Sequence, residues 1–140
     1  AKEFLNQAYR IENMIDVKLD QLKIYKALST KATSALSASP RTGTPNIHRM
    51  EDIIIKMVDL ENEIILSLDK LLDTRLEISA AIDNIPYKEY RMILELRYLC
   101  YMPWSEIAAK LKYSKQHTFR LHDEALKEVI LKNKDESKIY

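Results

Sequence analysis

Glycine is almost missing from this chain. One occurs in 140 residues, alongside four prolines, one cysteine and one tryptophan. A single glycine leaves no Gly-rich loop to cradle a nucleotide phosphate. Breakers are scarce outside one loop, where Pro40, Gly43 and Pro45 fall together. A lone cysteine, Cys100, cannot close an internal disulfide, and its apolar setting YLCY predicts a buried, inert thiol. No apolar run approaches the roughly 20 residues that a bilayer span needs, and no secretory pattern opens the chain. A soluble, cytoplasmic protein without a membrane partner is therefore expected. No nucleophile–base pair or carboxylate dyad stands out, so neither an enzyme nor a cofactor is expected. His117 and His122 are five residues apart, off any common helix face, with no Cys or acid at ligand spacing. No metal site is expected there.

What remains is a helix-forming vocabulary of Ala, Leu, Ile, Lys and Glu, with 46% apolar residues to build a core. The formal net charge is only +1, which excludes a general polycation. The charge is nevertheless uneven. Residues 1–86 carry 11 Lys/Arg against 13 Asp/Glu, whereas residues 87–140 carry 11 against 8. Within 110–122, Lys110, Lys112, Lys115 and Arg120 stand with no acid among them. A local cluster of this kind is a stronger signal of a polyanionic partner than the total charge.

The periodicity predicts two long helices. Over 2–36, Phe4, Ala8, Ile11, Ile15, Leu22 and Tyr25 recur in steps of three and four, broken by one seven-residue step over Lys18, with Leu19 beside the seam. SASPRTGTPN, 37–46, is a connection. Arg41, followed by His48 and Arg49, suits either phosphate contact or plain solvation. From about 48 to 83, Met50, Met57, Ile64, Leu71, Ile78 and Ile85 recur every seventh residue. Ile53, Ile54, Leu60, Leu68 and Ile82 widen that stripe. Each helix would be about 50 Å long at 1.5 Å per residue, and neither could bury its stripe alone. An antiparallel, coiled-coil-like hairpin over 1–83 is the simplest solution. It would serve oligomerisation or partner binding.

DNIP, 83–86, ends the second helix, and Pro86 suits the first turn of the next. Helices are predicted over 87–100, 103–111 and 114–132, with a frayed tail at 133–140. Tyr90, Ile93, Leu94, Tyr98 and Leu99 would cover a small core with Trp104, Ile107, Ala108 and Leu111. The last two helices, split by a turn at Lys112–Tyr113, read as a helix-turn-helix within a domain at 84–132. Ser114 is placed to cap the second helix, and Thr118, Leu121, Ala125, Leu126 and Val129 would face inward. That leaves Lys115, Gln116, His117, Phe119 and Arg120 outward, where a recognition helix meets base edges in the major groove of double-stranded DNA. Arg pairs with guanine and Gln with adenine in bidentate fashion, and Lys holds phosphate. Phe119 suits either a thymine methyl or a neighbouring helix. The expected DNA-binding residues are thus Lys112, Ser114, Lys115, Gln116, His117, Phe119 and Arg120. His122 reads as structural or as a phosphate contact, and Trp104 as the anchor of the domain or as a stacking platform.

The stretch NIPYKEYRMILELRYLCYMPWSEIAAKLKYSKQHTFRLHDEAL resembles region 4 of bacterial sigma factors. More closely it resembles the phage late-gene transcriptional regulators of the RinA/ArpU type. The motifs are Pro86, Tyr90–Arg91, Leu96–Leu99, Trp104–Ala108, Ser114, and Arg120 to Leu126. They cover about 84–128, under a third of the chain. The resemblance implies duplex DNA binding and transcription regulation in a bacterial host cell, associated with the nucleoid, with RNA polymerase as a possible further partner. Two departures limit it. Lys112–Tyr113 stands where Gly-Val is usual, and Phe119 stands where sigma factors often carry a basic reader, so a sigma promoter preference does not carry over.

The reading is an all-α protein, hairpin first and helix-turn-helix second, regulating phage or prophage genes as a homo-oligomer, dimer first. One helix-turn-helix with so few readers would discriminate poorly, and a second copy supplies the second half-site. Two alternatives stand beside it. One is a packaging protein of the small-terminase kind, which also joins a helix-turn-helix to long helices but usually in the reverse order. The other is a protein–protein interaction module that binds RNA polymerase.

Overall fold

The computed structural model describes the backbone of residues 1–38 and 44–139 and the side chains of 1–34 and 47–129. The chain is all-helical, with no strand among the described residues. Its elements are α1 (Lys2–Ala38), α2 (Thr44–Asp83), α3 (Lys88–Leu94) running on into a π-turn (Glu95–Leu99), α4 (Trp104–Leu111) and α5 (Lys115–Ile139). Residues 39–43 of the expected connection at 37–46, Arg41 included, lie outside the described residues. At its far edge α2 begins earlier than the pattern predicted, with Pro45 in the first turn, where its missing N–H costs nothing. α5 also runs past the expected end at 132. NKDESK contains neither Gly nor Pro, so nothing in it stops a helix already begun.

The chain divides into two compact units, Ile11–Lys70 and Ala1–Arg10 with Leu71–Tyr140. The sequence-based boundary at 83 places residues 71–83 with the hairpin. Here the first turns of α1 and the last turns of α2 group with the short helices instead. In that unit Leu5 and Ala8 of α1, Ile78 and Ile82 of α2, and Ile85 just beyond it share one core with Ile93, Leu94, Tyr98, Ile107, Leu121, Ala125 and Val129. Leu5, not Phe4, is the buried member of its turn. Burial of about ten large apolar side chains at roughly 1.5–3 kcal/mol each is the main force holding α3, α4 and α5 together.

In the other unit Ile15 and Leu22 of α1 and Leu60 and Ile64 of α2 are buried. Lys18 sits half-buried at the position where the apolar rhythm skips a beat, and its Nζ lies 3.5 Å from Glu63 Oε2. Leu19, Ile54 and Leu68, expected beside or within the stripes, are exposed.

The π-turn corrects one expectation. Cys100 N–H donates to Glu95 O at 3.0 Å, five residues back, and Met102 N–H donates to Leu96 O. The extra residue in this turn shifts the helical register. Cys100 comes out exposed, not buried as its apolar neighbours suggested. Tyr101 follows with φ 56°, and Arg75 of α2 ties this corner down, donating to Tyr101 Oη (2.9 Å) and Leu99 O (3.0 Å).

Candidate nucleic-acid interface

Pro103 precedes α4 and its carbonyl accepts from both Glu106 and Ile107 N–H, which starts the helix without a side-chain cap. Small Ala108 is buried beside Ile107. At the far end Lys112 takes the left-handed conformation, φ 60° and ψ 39°. Tyr113 N–H returns to Ala108 O (3.0 Å) and Lys112 N–H to Ala109 O (3.3 Å), the paired bonds of a Schellman cap. Glycine is the usual residue at that position because a Cβ there costs about 1–2 kcal/mol. Lys112 thus takes a conformation usual for Gly, at an energetic cost. Lys112→Gly should raise the unfolding free energy by up to about 1 kcal/mol, since the strain relieved exceeds the added chain entropy of Gly. If this face meets DNA as expected, the same change should weaken that binding by removing a cation. Urea unfolding and a DNA titration on the same variant check both, and a fall in both would refute the strain argument.

Ser114 then caps α5 as its sequence position suggests. His117 N–H donates to Ser114 Oγ at 3.1 Å, and Thr118 Oγ1 donates to Ser114 O at 2.8 Å. Thr118, Leu121, Ala125 and Val129 are buried, so the opposite side of the helix carries Lys115, Gln116, Phe119 and Arg120. Lys115, Gln116 and Arg120 are exposed, as is Lys112 in the turn, and Lys110 on α4 joins them. None of the ion pairs found among the described residues involves these cations.

Besides Ser114, whose Oγ is engaged in the cap, two of the seven candidates are spoken for in part. His117 is half-buried, with its ring edge-on to Tyr113 at 4.6 Å. Phe119 is 44% exposed but rests edge-on against Trp104 at 5.2 Å. Its packing role is visible, and part of the ring still faces outward.

Trp104 is the anchor of this region. Arg97 lies over its ring at 4.7 Å and donates to Met102 O, and His122 meets it edge-on at 4.6 Å. His122 is only 4% exposed, and its Nε2 lies 2.6 Å from the Tyr98 hydroxyl. Burial, with a smaller contribution from the cations Lys2 and Arg97 against the opposing Asp123 carboxylate, lowers its pKa to about 4. The ring is neutral near pH 7, so its 3.9 Å approach to Asp123 is not an ion pair at that pH. His122 is structural, and the alternative of a phosphate contact falls away. The same burial raises the Tyr98 hydroxyl, which stays protonated and shares a hydrogen bond with His122.

Sequence reasoning missed the polar ties on the flank of the site. Tyr90 Oη donates to Glu124 Oε2 at 2.8 Å, and this bond, more than burial, raises its pKa. Tyr113 Oη donates to Glu89 Oε1 at 3.3 Å. Each pair joins residues at least 24 apart, a separation that no local pattern reveals. Among the described residues no three His, Cys, Asp or Glu side chains converge as a metal site would require. Among the described residues no helix is long and apolar enough to cross a membrane.

The chain belongs to the family described as "Protein of unknown function (DUF1492)", which matches residues 31–130. No curated protein and no solved structure matches it.

Proposed function

We propose that this member of the DUF1492 family is a sequence-specific, duplex-DNA-binding transcriptional regulator. On this reading α4 and α5 act as a helix-turn-helix and the N-terminal half of α5 enters the major groove. The observation that carries it is the exposed basic face of Lys112 in the turn and Lys115 and Arg120 on α5, with Gln116 among them, none in an ion pair found among the described residues, on a helix whose opposite face is locked into the core. Lys112 and Lys115 would hold phosphates on either side of the groove. Gln116 and Arg120, four residues apart and hence one turn apart on the same face, would read bases. Ser114 serves by its cap, which sets the angle at which α5 leaves the turn. The resemblance to phage late-gene regulators supports a role at phage or prophage genes. α1 and α2 would pair as an antiparallel hairpin that brings copies together, giving two half-sites. RNA polymerase would then be a neighbour on the promoter.

Selection of bound duplexes from a random pool at moderate salt tests this reading. A repeated motif, in two spaced copies, is the expected result. Enrichment of no sequence, with binding that only tracks salt, would remove sequence-specific regulation and leave a packaging or docking role.

A further inference from the structure

The unit Ile11–Lys70 buries one apolar stripe on each long helix and leaves a second one in solvent. On α1, Met14, Val17, Ile24 and Leu28 are each at least 44% exposed, with Gln21 between them in the same three-and-four rhythm. On α2, Ile54, Val58, Ile65 and Leu68 are likewise at least 44% exposed, with Glu61 between them. Each exposed stripe is the buried one displaced by a single residue. It lies one back on α1 (14, 17 and 21 against 15, 18 and 22) and one ahead on α2 (58, 61 and 65 against 57, 60 and 64). One residue is about 100° of helix, so each helix carries two separate seams.

The two exposed seams fit each other layer by layer when run antiparallel. Met14 meets Leu68, Val17 meets Ile65, Ile24 meets Val58 and Leu28 meets Ile54. The polar interruptions coincide as well, Gln21 with Glu61, and beyond the apolar layers Lys31 meets Glu51 with opposite charge. In every one of these pairs the residue numbers add to 82. The in-chain ion pair Lys18–Glu63 adds to 81, so both pairings share one axial register. A pair of helices meets along one seam only. One chain supplies one α1 and one α2, so it satisfies one of the two matched pairings, and the other requires helices from different copies.

We infer that the exposed stripe of α1 in one copy packs antiparallel against the exposed stripe of α2 in a second copy, at the same height. The inference rests on the hairpin reading of α1 and α2 and is independent of DNA. In an antiparallel hairpin, a step back on one helix and a step ahead on the other carry the two stripes to opposite faces. The contact is therefore heterologous, α1 face on α2 face. Such a contact makes a ring where the rotation between copies closes and an open row where it does not. An apolar surface this extensive is unusual on a monomer.

The test uses the full-length chain with Cys100→Ser, because Cys100 is exposed. A chain carrying Ile24→Cys is mixed with a chain carrying Val58→Cys and mildly oxidised. A covalent dimer in the mixture, at least tenfold above either chain alone, is the expected result. No dimer in the mixture, or equal dimer from one variant alone, overturns the inference. A third chain carrying both Tyr25→Cys and Met57→Cys should close a disulfide within itself. If it does and the mixture stays silent, the copy-to-copy contact fails while the hairpin stands. If it does not, the hairpin reading itself fails. Light scattering gives a second readout: Val17→Glu with Ile65→Glu, both at exposed positions, should reduce the assembly to single chains with helix content unchanged. An unchanged assembly mass overturns the inference.

Discussion

Replacing Gln116 and Arg120 together by alanine should erase sequence preference while leaving much of the sequence-indifferent affinity. Each bidentate base contact is worth roughly 1–3 kcal/mol of discrimination. Loss of both should therefore lower the ratio of specific to non-specific binding by about 30-fold or more, with some departure from additivity because the two side chains share one helix face. Both are exposed and neither belongs to the core, so folding should be unaffected. Lys112→Ala and Lys115→Ala should behave differently. Each removes a phosphate contact, lowers affinity on every sequence alike, and reduces the slope of log K against log salt by about 1. The check is a duplex selection for discrimination and a salt titration for slope, run on all three variants. If the double variant enriches the same motif as the parent chain, Gln116 and Arg120 are not the readers, and the reading face must be sought elsewhere on α5. Phe119 is left untouched in this comparison because its ring packs on Trp104. Removing it would mix loss of stability with loss of contact.

Much of the architecture was legible because a helical chain declares its buried face by spacing. Ile93, Leu94, Tyr98, Ile107, Thr118, Leu121, Ala125 and Val129 were all assigned inward and are all buried. Ser114 caps its helix as expected and Pro103 stands at the entry to α4, whereas Pro86, expected in the first turn of the third helix, lies before its N-cap Tyr87. What stayed hidden has a common cause. The heptad rhythm of α2 runs unbroken from Met50 to Ile85, so periodicity cannot tell that Ile78, Ile82 and Ile85 share a core with α3 and α5. Nor can it separate two seams one residue apart, and the reading merged Ile54 and Leu68 with the buried stripe although both are exposed. Lys112 was flagged as an unusual turn residue, but its left-handed backbone follows from the bonds of Tyr113 and Lys112 to the end of α4, not from residue type. Cys100 was misjudged because a π-turn has no sequence signature, and one extra residue in the turn was enough to bring the thiol to the surface.

The second large effect concerns acid. His122 has a folded pKa of about 4, against an unfolded value near 6.5. Between those values the unfolded chain holds a proton that the folded chain refuses. Stability is therefore fully present above about pH 6.5 and falls as the pH drops toward 4, with a slope of up to about 1.4 kcal/mol per pH unit from this one group. Over the whole window the loss is on the order of 3 kcal/mol, a large share of a small domain's stability. The cost arises because a charged ring would have to sit at 4% exposure between Trp104 and Tyr98, with Arg97 and Lys2 nearby and only the exposed Asp123 to offset it. Carboxylates also titrate in this range, so the informative quantity is a difference between proteins. His122→Gln keeps a hydrogen-bonding group toward the Tyr98 hydroxyl but cannot be protonated. Urea unfolding of both proteins from pH 7 to 4 should give curves that converge as the pH falls, because the parent chain loses the histidine contribution and the variant has none to lose. Parallel curves would mean that His122 charges as readily folded as unfolded, and that the ring is less enclosed than its contacts imply. The consequence for function is direct. His122 joins Trp104 to the inner face of α5, so the same protonation that destabilises the unit also loosens the support behind Phe119 and Arg120. DNA binding should therefore weaken more steeply between pH 7 and pH 4 in the parent chain than in His122→Gln.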